Sequence, residues 1–342
     1  MTLNRDLVLF GIAAGCVWHT SGAHHSNYQF DTDAVVTLEG TVTGFEWKNP
    51  HIFFDIETTD ENGDLVAFQV EGDGVGMSAP LGWRRDSLEI GDRVTVEASP
   101  PVDPQRRSVL GRGVVKADGT ILPMNSEFHA GYPEPAVEIG AATDISGHWL
   151  PRIEDFYAGL PNGGSHPLTK RGRAAAEAFD PRANPQYDCV QHAAPRIMLY
   201  PAINAIEIHE DRITLRPDWS NIERMVWMDG RSHPIRGERT PQGHSIGRWE
   251  GETLVVDTAL FSAHPASSLR RLPVPSSWEK HLVERITLAD DGTTLIYEIV
   301  WEDPVYLAEP VTQTHEWDYR PDVAPGEMNC DLESARRHLT EN

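Results

Sequence analysis

Apolar and polar residues alternate along most of the chain after residue 23, with little helical spacing. In the first half this alternation predicts one long strand, interrupted by Gly40 and Gly44, and four shorter strands. A less regular insert at 75–89 follows the third strand. This arrangement is typical of a small Greek-key barrel of the OB type. The predicted strands are 35–47, 51–58, 65–70, 93–98 and 109–116.

Residues 145–342 also consist mostly of strand and hairpin signals, and only one helix stands out, at 168–179. About eight strands are expected there, in an antiparallel barrel or a strongly curved sheet. The sequence therefore predicts a mainly β protein with two domains. The predicted divisions are a signal peptide at 1–23, an OB-like domain at 24–130, a linker at 131–144 and a barrel-like domain at 145–342.

The net charge of the chain limits the classes of partner that it can bind. Among its 342 residues, 52 acidic side chains oppose 29 basic ones, which gives a net charge of −23. Such a field repels nucleic acids and anionic lipids, and the OB-like half carries no basic stripe with interleaved aromatic residues. We therefore expect no nucleic-acid partner.

The first 23 residues have the features of an export signal. Arg5 precedes an apolar run at 7–18, and the small residues Ser21, Gly22 and Ala23 offer a cleavage site. The run is too short to span a bilayer, so we expect a periplasmic or secreted protein. The alternative is a lipid-anchored form, because the residues before Cys16 resemble a lipoprotein cleavage site.

Cleavage after Ala23 would leave two cysteines, Cys189 and Cys330. In an oxidising compartment, two cysteines most simply form one disulfide. The alternative is a pair of separate buried thiols.

The same cleavage would make His24 the first residue, followed by His25. A free amine and the His24 imidazole form a chelating pair, and a third nitrogen from His25, His51 or His129 would complete a copper site. Cleavage one residue earlier would give Ala-His-His, another copper-chelating terminus. The simpler alternative is a solvated N-terminus, with His51 only capping its strand.

Candidate chemistry in the second half centres on its histidines and tryptophans. Gly243 to Gly247 match the pattern of a serine-hydrolase elbow, but a strand rather than a helix follows, so a hairpin is the favoured interpretation. Some histidines could converge inside the barrel on a metal or a polar ligand. We take His233, His244 and Trp249 as candidate ligand-binding residues, and no catalytic residue is assigned.

Two stretches carry family resemblances. The Ala-His-His-Ser segment at 23–26 and the Trp-x-Asn-Pro-His segment at 47–51 resemble a family of small bacterial exported proteins of unknown function, over about 23–120. The segment Gly-His-Ser-Ile-Gly-Arg-Trp-Glu-Gly at 243–251 resembles a second uncharacterised exported family, over about 145–335. The second resemblance places Cys189 and Cys330 at matching positions, which supports the disulfide. Neither implies an activity.

The leading functional prediction is an exported binding protein for a small ligand. The ligand is either an apolar molecule enclosed by the second barrel or a copper ion at the mature N-terminus. One alternative is an exported enzyme with acid–base residues in the second barrel, and another is an envelope adaptor. A polar pocket with shifted pKa values would favour the enzyme, a dry cavity the carrier, and a filled barrel with an exposed apolar patch the adaptor.

Overall fold

The computed structural model describes residues 29–60, 62–125, 139–158, 166–180, 183–218, 221–266 and 274–340. The protein is mainly β and contains two closed barrels, of five and nine strands, with a few short helices. This confirms the predicted fold class. The signal peptide, Cys16, His24, His25 and His129 lie outside the described residues.

The first barrel has the strand order of an OB-type fold. Its strands pair in the order β3-β2-β1-β4-β5-β6, and a parallel pairing of β3 with β5 closes the barrel. Helix α1 (Val75–Ser78) lies between β3 and β4. The strands are β1 (Val36–Glu46), β2 (Phe53–Thr59), β3 (Leu65–Glu71), β4 (Arg93–Ser99), β5 (Ser108–Lys116) and β6 (Ile121–Pro123).

Strand β1 lies in the middle of the sheet of the OB-type barrel, where it pairs with both β2 and β4. Its register with β2 shifts between Val42 and Gly44. A Cβ atom at Gly40 would lie 2.8 Å from the carbonyl oxygen of Glu57, so only glycine allows this approach. The interruptions seen in the sequence therefore mark the bend of β1.

The second barrel has nine strands, more than the eight or so expected. Neighbouring strands are antiparallel except β10 and β11, which are parallel. A parallel pair needs a crossover connection, and residues 228–243 supply it here. The predicted succession of hairpins did not include this crossover. The strands are β7 (Gly147–Pro151), β8 (Asn204–Ile208), β9 (Arg212–Pro217), β10 (Arg224–Trp227), β11 (His244–Glu250), β12 (Thr253–Ala259), β13 (His281–Leu288), β14 (Thr294–Glu302) and β15 (Val311–Tyr319).

Side chains fill the described interior of the nine-stranded barrel. Five aromatic residues, each at most 1% exposed, pack there with aliphatic residues from the surrounding strands. These aromatic residues are Trp149, Phe261, Tyr297, Trp301 and Trp317. The interior is therefore a packed core.

The helices are short and lie outside the barrels. The predicted helix is present as α3 (Lys170–Glu177), and the Thr169 hydroxyl caps it by accepting a hydrogen bond from the Gly172 amide at 3.0 Å. Helices α2 (Ile153–Ala158) and α4 (Leu332–Thr340) were not predicted. Within the described segments, none of the helices has both the length and the apolar character needed to cross a membrane.

The C-terminal segment connects the two barrels. Cys330 forms the expected disulfide with Cys189. The backbone of Cys330 also bridges to Asn49 of the OB-type barrel, and Arg337 in α4 forms an ion pair with Glu46 on β1. The disulfide therefore secures a segment that packs on both domains.

Candidate functional site

Four titratable side chains meet on the outer wall of the nine-stranded barrel. They are His233, His244, Asp257 and His281, which we call the histidine cluster. Oxygen Oδ1 of Asp257 lies 3.0 Å from Nε2 of His233 and 2.9 Å from Nε2 of His281. Nitrogen Nδ1 of His233 lies 2.9 Å from Nδ1 of His244. The four side chains therefore form one continuous hydrogen-bonded chain.

The alternation of strand β12 places Asp257 on the outside. Leu254 and Val256 face the barrel core, so Asp257 points to the opposite face. In the strand registers, Ala259 lies opposite His244 on β11, and Thr258 lies opposite Leu282, the neighbour of His281 on β13. Both histidines therefore begin their strands close to Asp257.

The crossover 228–243 brings in the fourth member, His233. It packs closely on the barrel wall, because a Cβ atom at Gly237 would lie 2.8 Å from side-chain atoms of both Leu260 and Pro234. Gly243 ends the crossover with a φ of +71°, and a Cβ atom there would lie 2.7 Å from the carbonyl oxygen of Ala259. These glycines let the crossover hold His233 against β12.

The hydrogen bonds define where the protons lie. Burial raises the pKa of Asp257, but hydrogen bonds from His233 and His281 outweigh it and hold the pKa below its ordinary value. A carboxylate only accepts, so both Nε2 atoms carry protons. A neutral His233 then accepts at Nδ1, and His244 donates from its own Nδ1. The lone pair of His244 that can accept a proton is therefore on Nε2.

The surroundings keep His244 neutral. Burial lowers its pKa, and the charge that His233 carries whenever its ring is protonated, together with the charge of Arg231, lowers it further. The Arg231 guanidinium is held in place over the Trp227 ring, 3.9 Å from its centroid, and is paired with Asp229. A neutral imidazole backed by an imidazole and a carboxylate can accept a proton from water or from a substrate.

The sequence candidates are distributed unevenly with respect to this site. His233 and His244 are adjacent, but on the outer wall rather than inside the barrel. Trp249 lies five residues beyond His244 on β11, about 16 Å away along the strand. It is paired with the interior position Leu254 and is 45% exposed, so it is not part of the cluster. Asp257 and His281 were not among the sequence candidates; strand alternation marks both as outward positions, but it does not show that they meet.

Ser245 has a structural role. Its side chain is buried in the barrel, and its hydroxyl lies 2.8 Å from that of Thr258 on the paired strand. Strand β11 continues through it into the hairpin with β12. Ser245 is thus separated from the histidine cluster by the barrel wall.

His51 lies in the OB-type barrel, where its Nδ1 is 3.0 Å from the carbonyl oxygen of Gly72 and 3.4 Å from a carboxylate oxygen of Glu71. Its expected copper-binding partners His24, His25 and His129 fall outside the described residues. Across the described ranges, no group of three or more His, Cys, Asp or Glu side chains is arranged to hold a metal ion. In the histidine cluster, the polar atoms contact one another instead.

Comparison with known proteins adds one match. Residues 13–110 match the model of a family described as "Family of unknown function (DUF6152)". The matched residues include β1 to β4 and the start of β5. This agrees with the resemblance of the N-terminal half to an uncharacterised family. No curated protein and no solved structure matches the chain.

Proposed function

We propose that this protein is an exported enzyme that acts on a small organic substrate by general acid–base catalysis at the histidine cluster. The observation that carries the proposal is the hydrogen-bonded chain from Asp257 through His233 to His244. The Asp257 carboxylate orients the His233 imidazole, which in turn orients the His244 imidazole. Nε2 of His244 is then the basic nitrogen that none of these hydrogen bonds uses.

Hydrolysis is the reaction that this arrangement suits best. Nε2 of His244 removes a proton from water as the water oxygen bonds to an acyl carbon of the substrate. The imidazolium returns that proton to the leaving oxygen as its bond to the acyl carbon breaks. Asp257 stabilises the positive charge that spreads over His244 and His233 during the step.

The substrate approaches from solvent rather than through the barrel. The side chains of His233, Asp257 and His281 are 22%, 32% and 41% exposed, whereas packed aromatic residues fill the described interior. We therefore assign the ligand to the outer wall, and not to an apolar cavity within the barrel.

The test is hydrolysis of p-nitrophenyl acetate, a small activated ester that reports general-base and nucleophilic imidazoles. We expect His244→Ala to lower kcat/KM about 100-fold, and Asp257→Asn to lower it less. The matched control is His209→Ala, which removes a partly exposed histidine in the β8–β9 hairpin. Equal rates for the wild type and His244→Ala would contradict the proposal.

Export and copper binding are separate proposals that rest on the first 26 residues. We propose cleavage after Ala23, and copper binding by the new terminus at His24 and His25 with His51. We also propose that residues 145–335 belong to a second exported family, on the strength of the segment 243–258. Native mass spectrometry of the protein exported through its own signal tests the first two. A chain that starts at His24 with one copper bound supports them, and a different start, or no copper uptake, contradicts copper binding there.

A further inference from the structure

A second candidate site lies on the OB-type barrel, far in sequence from the histidine cluster. A groove of about 500 Å³ runs between strand β3 and the loop that joins β4 to β5. Polar and charged side chains line most of it, together with one aromatic ring. The lining residues that matter here are Asp55, Phe68, Gln69, Asp103, Arg107 and Ser108.

Ser108 is the most informative of these residues. It begins β5 opposite Gln69 of β3, is 7% exposed, and its hydroxyl has no hydrogen-bond partner among the described residues. A buried hydroxyl without a partner destabilises a folded protein, so it is uncommon unless a bound molecule supplies the partner. Ser108 lines the groove, but its hydroxyl oxygen is itself buried, so a ligand contacts it only after the side chain rotates towards the groove.

The Arg107 guanidinium lies over the Phe68 ring, next to Ser108 in the chain. The guanidinium carbon lies 5.6 Å from the centre of the Phe68 ring. The Arg107 side chain makes no ion pair or hydrogen bond with another described residue, so its N–H groups remain available. A planar guanidinium of this kind donates several hydrogen bonds in one plane.

The groove offers donors and acceptors in balance. Asp55 and Asp103 contribute carboxylates, and Arg106 and Arg107 contribute guanidinium groups, so their formal charges cancel. Gln69 adds an amide, which donates to Asp55 at 3.2 Å. A neutral lining does not favour a phosphate or another strong anion, and the chain's charge of −23 disfavours nucleic acid further.

We propose that this groove is a saccharide-binding site. Each hydroxyl of a sugar both donates and accepts a hydrogen bond, which matches the mixed carboxylate, amide and guanidinium lining. The Ser108 hydroxyl gains its missing partner once its side chain rotates, and a face of the sugar ring packs on the Arg107 guanidinium, which lies over Phe68. The site is independent of the catalytic proposal for the nine-stranded barrel.

Saturation-transfer NMR of the whole mature protein with chitotriose, maltotriose and cellotriose tests the site. We expect at least one sugar to bind, and Arg107→Ala and Ser108→Ala each to weaken binding about tenfold or more. Ser108→Ala is the sharper variant, because losing an unpaired buried hydroxyl leaves the melting temperature unchanged or raised. The control Arg93→Ala removes an exposed arginine of the same barrel and should bind like the wild type.

Three results would overturn the site. The first is that none of the three sugars binds at concentrations up to about 10 mM. The second is unchanged sugar binding in both groove variants. The third is a single-stranded oligothymidylate that binds more tightly than any of the sugars.

Discussion

The guanidinium group of Arg224 meets the carboxylate of Glu284 inside the nine-stranded barrel through two hydrogen bonds, at 2.8 and 2.5 Å. Their side chains are only 1% and 0% exposed. The Tyr297 hydroxyl donates a third bond to Glu284, at 2.5 Å. The pKa of Tyr297 is raised well above its ordinary value by burial and by the Glu284 charge. The packed core of this barrel therefore contains a fully buried ion pair.

Removing one partner of that pair should strongly destabilise the protein. Glu284→Ala leaves the Arg224 charge buried without its counter-ion, and we expect the free energy of unfolding to fall by about 3–5 kcal/mol. Urea denaturation measures the change. The control Glu298→Ala removes an outward-facing carboxylate from β14 and should cost far less. A loss below about 1 kcal/mol for Glu284→Ala would show that the pair does not support the core.

The disulfide should stabilise the protein by restricting its unfolded state. Cys189 and Cys330 are 141 residues apart, and the chain-entropy treatment assigns about 4–5 kcal/mol to a loop of that size. We expect Cys189→Ala/Cys330→Ala to lose about this amount in urea denaturation under oxidising conditions. The wild type with reductant should match the variant. Two free thiols, counted after the native protein is denatured without reductant, would rule out the disulfide.

Asp218 should make stability depend on pH. It is buried beside α1 and accepts a hydrogen bond from the Gly326 amide at 2.6 Å, and burial raises its pKa to about 6. The folded pKa exceeds the unfolded value of about 3.9, so the folded state disfavours the charged form. The contribution of Asp218 to the free energy of unfolding is therefore fully present below pH 4. It decreases as the pH rises towards 6, by about 2–3 kcal/mol in total.

The variant Asp218→Asn isolates this effect, because an amide keeps the acceptor but cannot ionise. We expect it to be more stable than the wild type by up to about 3 kcal/mol at pH 7, and equally stable near pH 4. Asp86→Asn, at an exposed position, is the control. An Asp218→Asn protein that is less stable than the wild type at pH 7 would contradict the account.

The charge of Arg231 should lower the pKa of His244, the base of the histidine cluster. Burial is the main cause of the lowered pKa of His244, and the charges of His233 and Arg231 add to it. Arg231→Gln removes one positive charge, so we expect the pKa of His244 to rise, measured by NMR titration of its ring. Arg93→Gln should leave it unchanged. A pKa of His244 that stays the same or falls in Arg231→Gln would exclude this coupling.

Much of the fold could be predicted from local sequence patterns. The interruptions of β1 at Gly40 and Gly44 and the single helix at 168–179, which corresponds to α3, were both visible in the sequence. The parallel pairing of β10 with β11 could not, because the pattern of each strand does not record its neighbour's direction. Helix α4 was also missed, since its position depends on contacts of Arg337 with the other domain.

The candidate site was only half accessible from the sequence. His233 and His244 were candidates from the sequence, whereas Asp257 resembled any outward polar residue of a strand. Its partnership with His281 depends on the register of β12 with β13, which hydrophobic alternation leaves open. Trp249 was also a candidate, but strand alternation places it on the opposite face of β11 from His244.

The most direct test of the catalytic account is the location of two protons. Long-range ¹H–¹⁵N NMR of protein labelled at its histidines distinguishes a protonated Nδ1 from a protonated Nε2. The account predicts that, near neutral pH, His233 carries its proton on Nε2, towards Asp257, and His244 carries its proton on Nδ1, which leaves Nε2 basic. A His233 protonated on Nδ1, or a His244 protonated on Nε2, would break the chain to Asp257 and contradict the proposed mechanism.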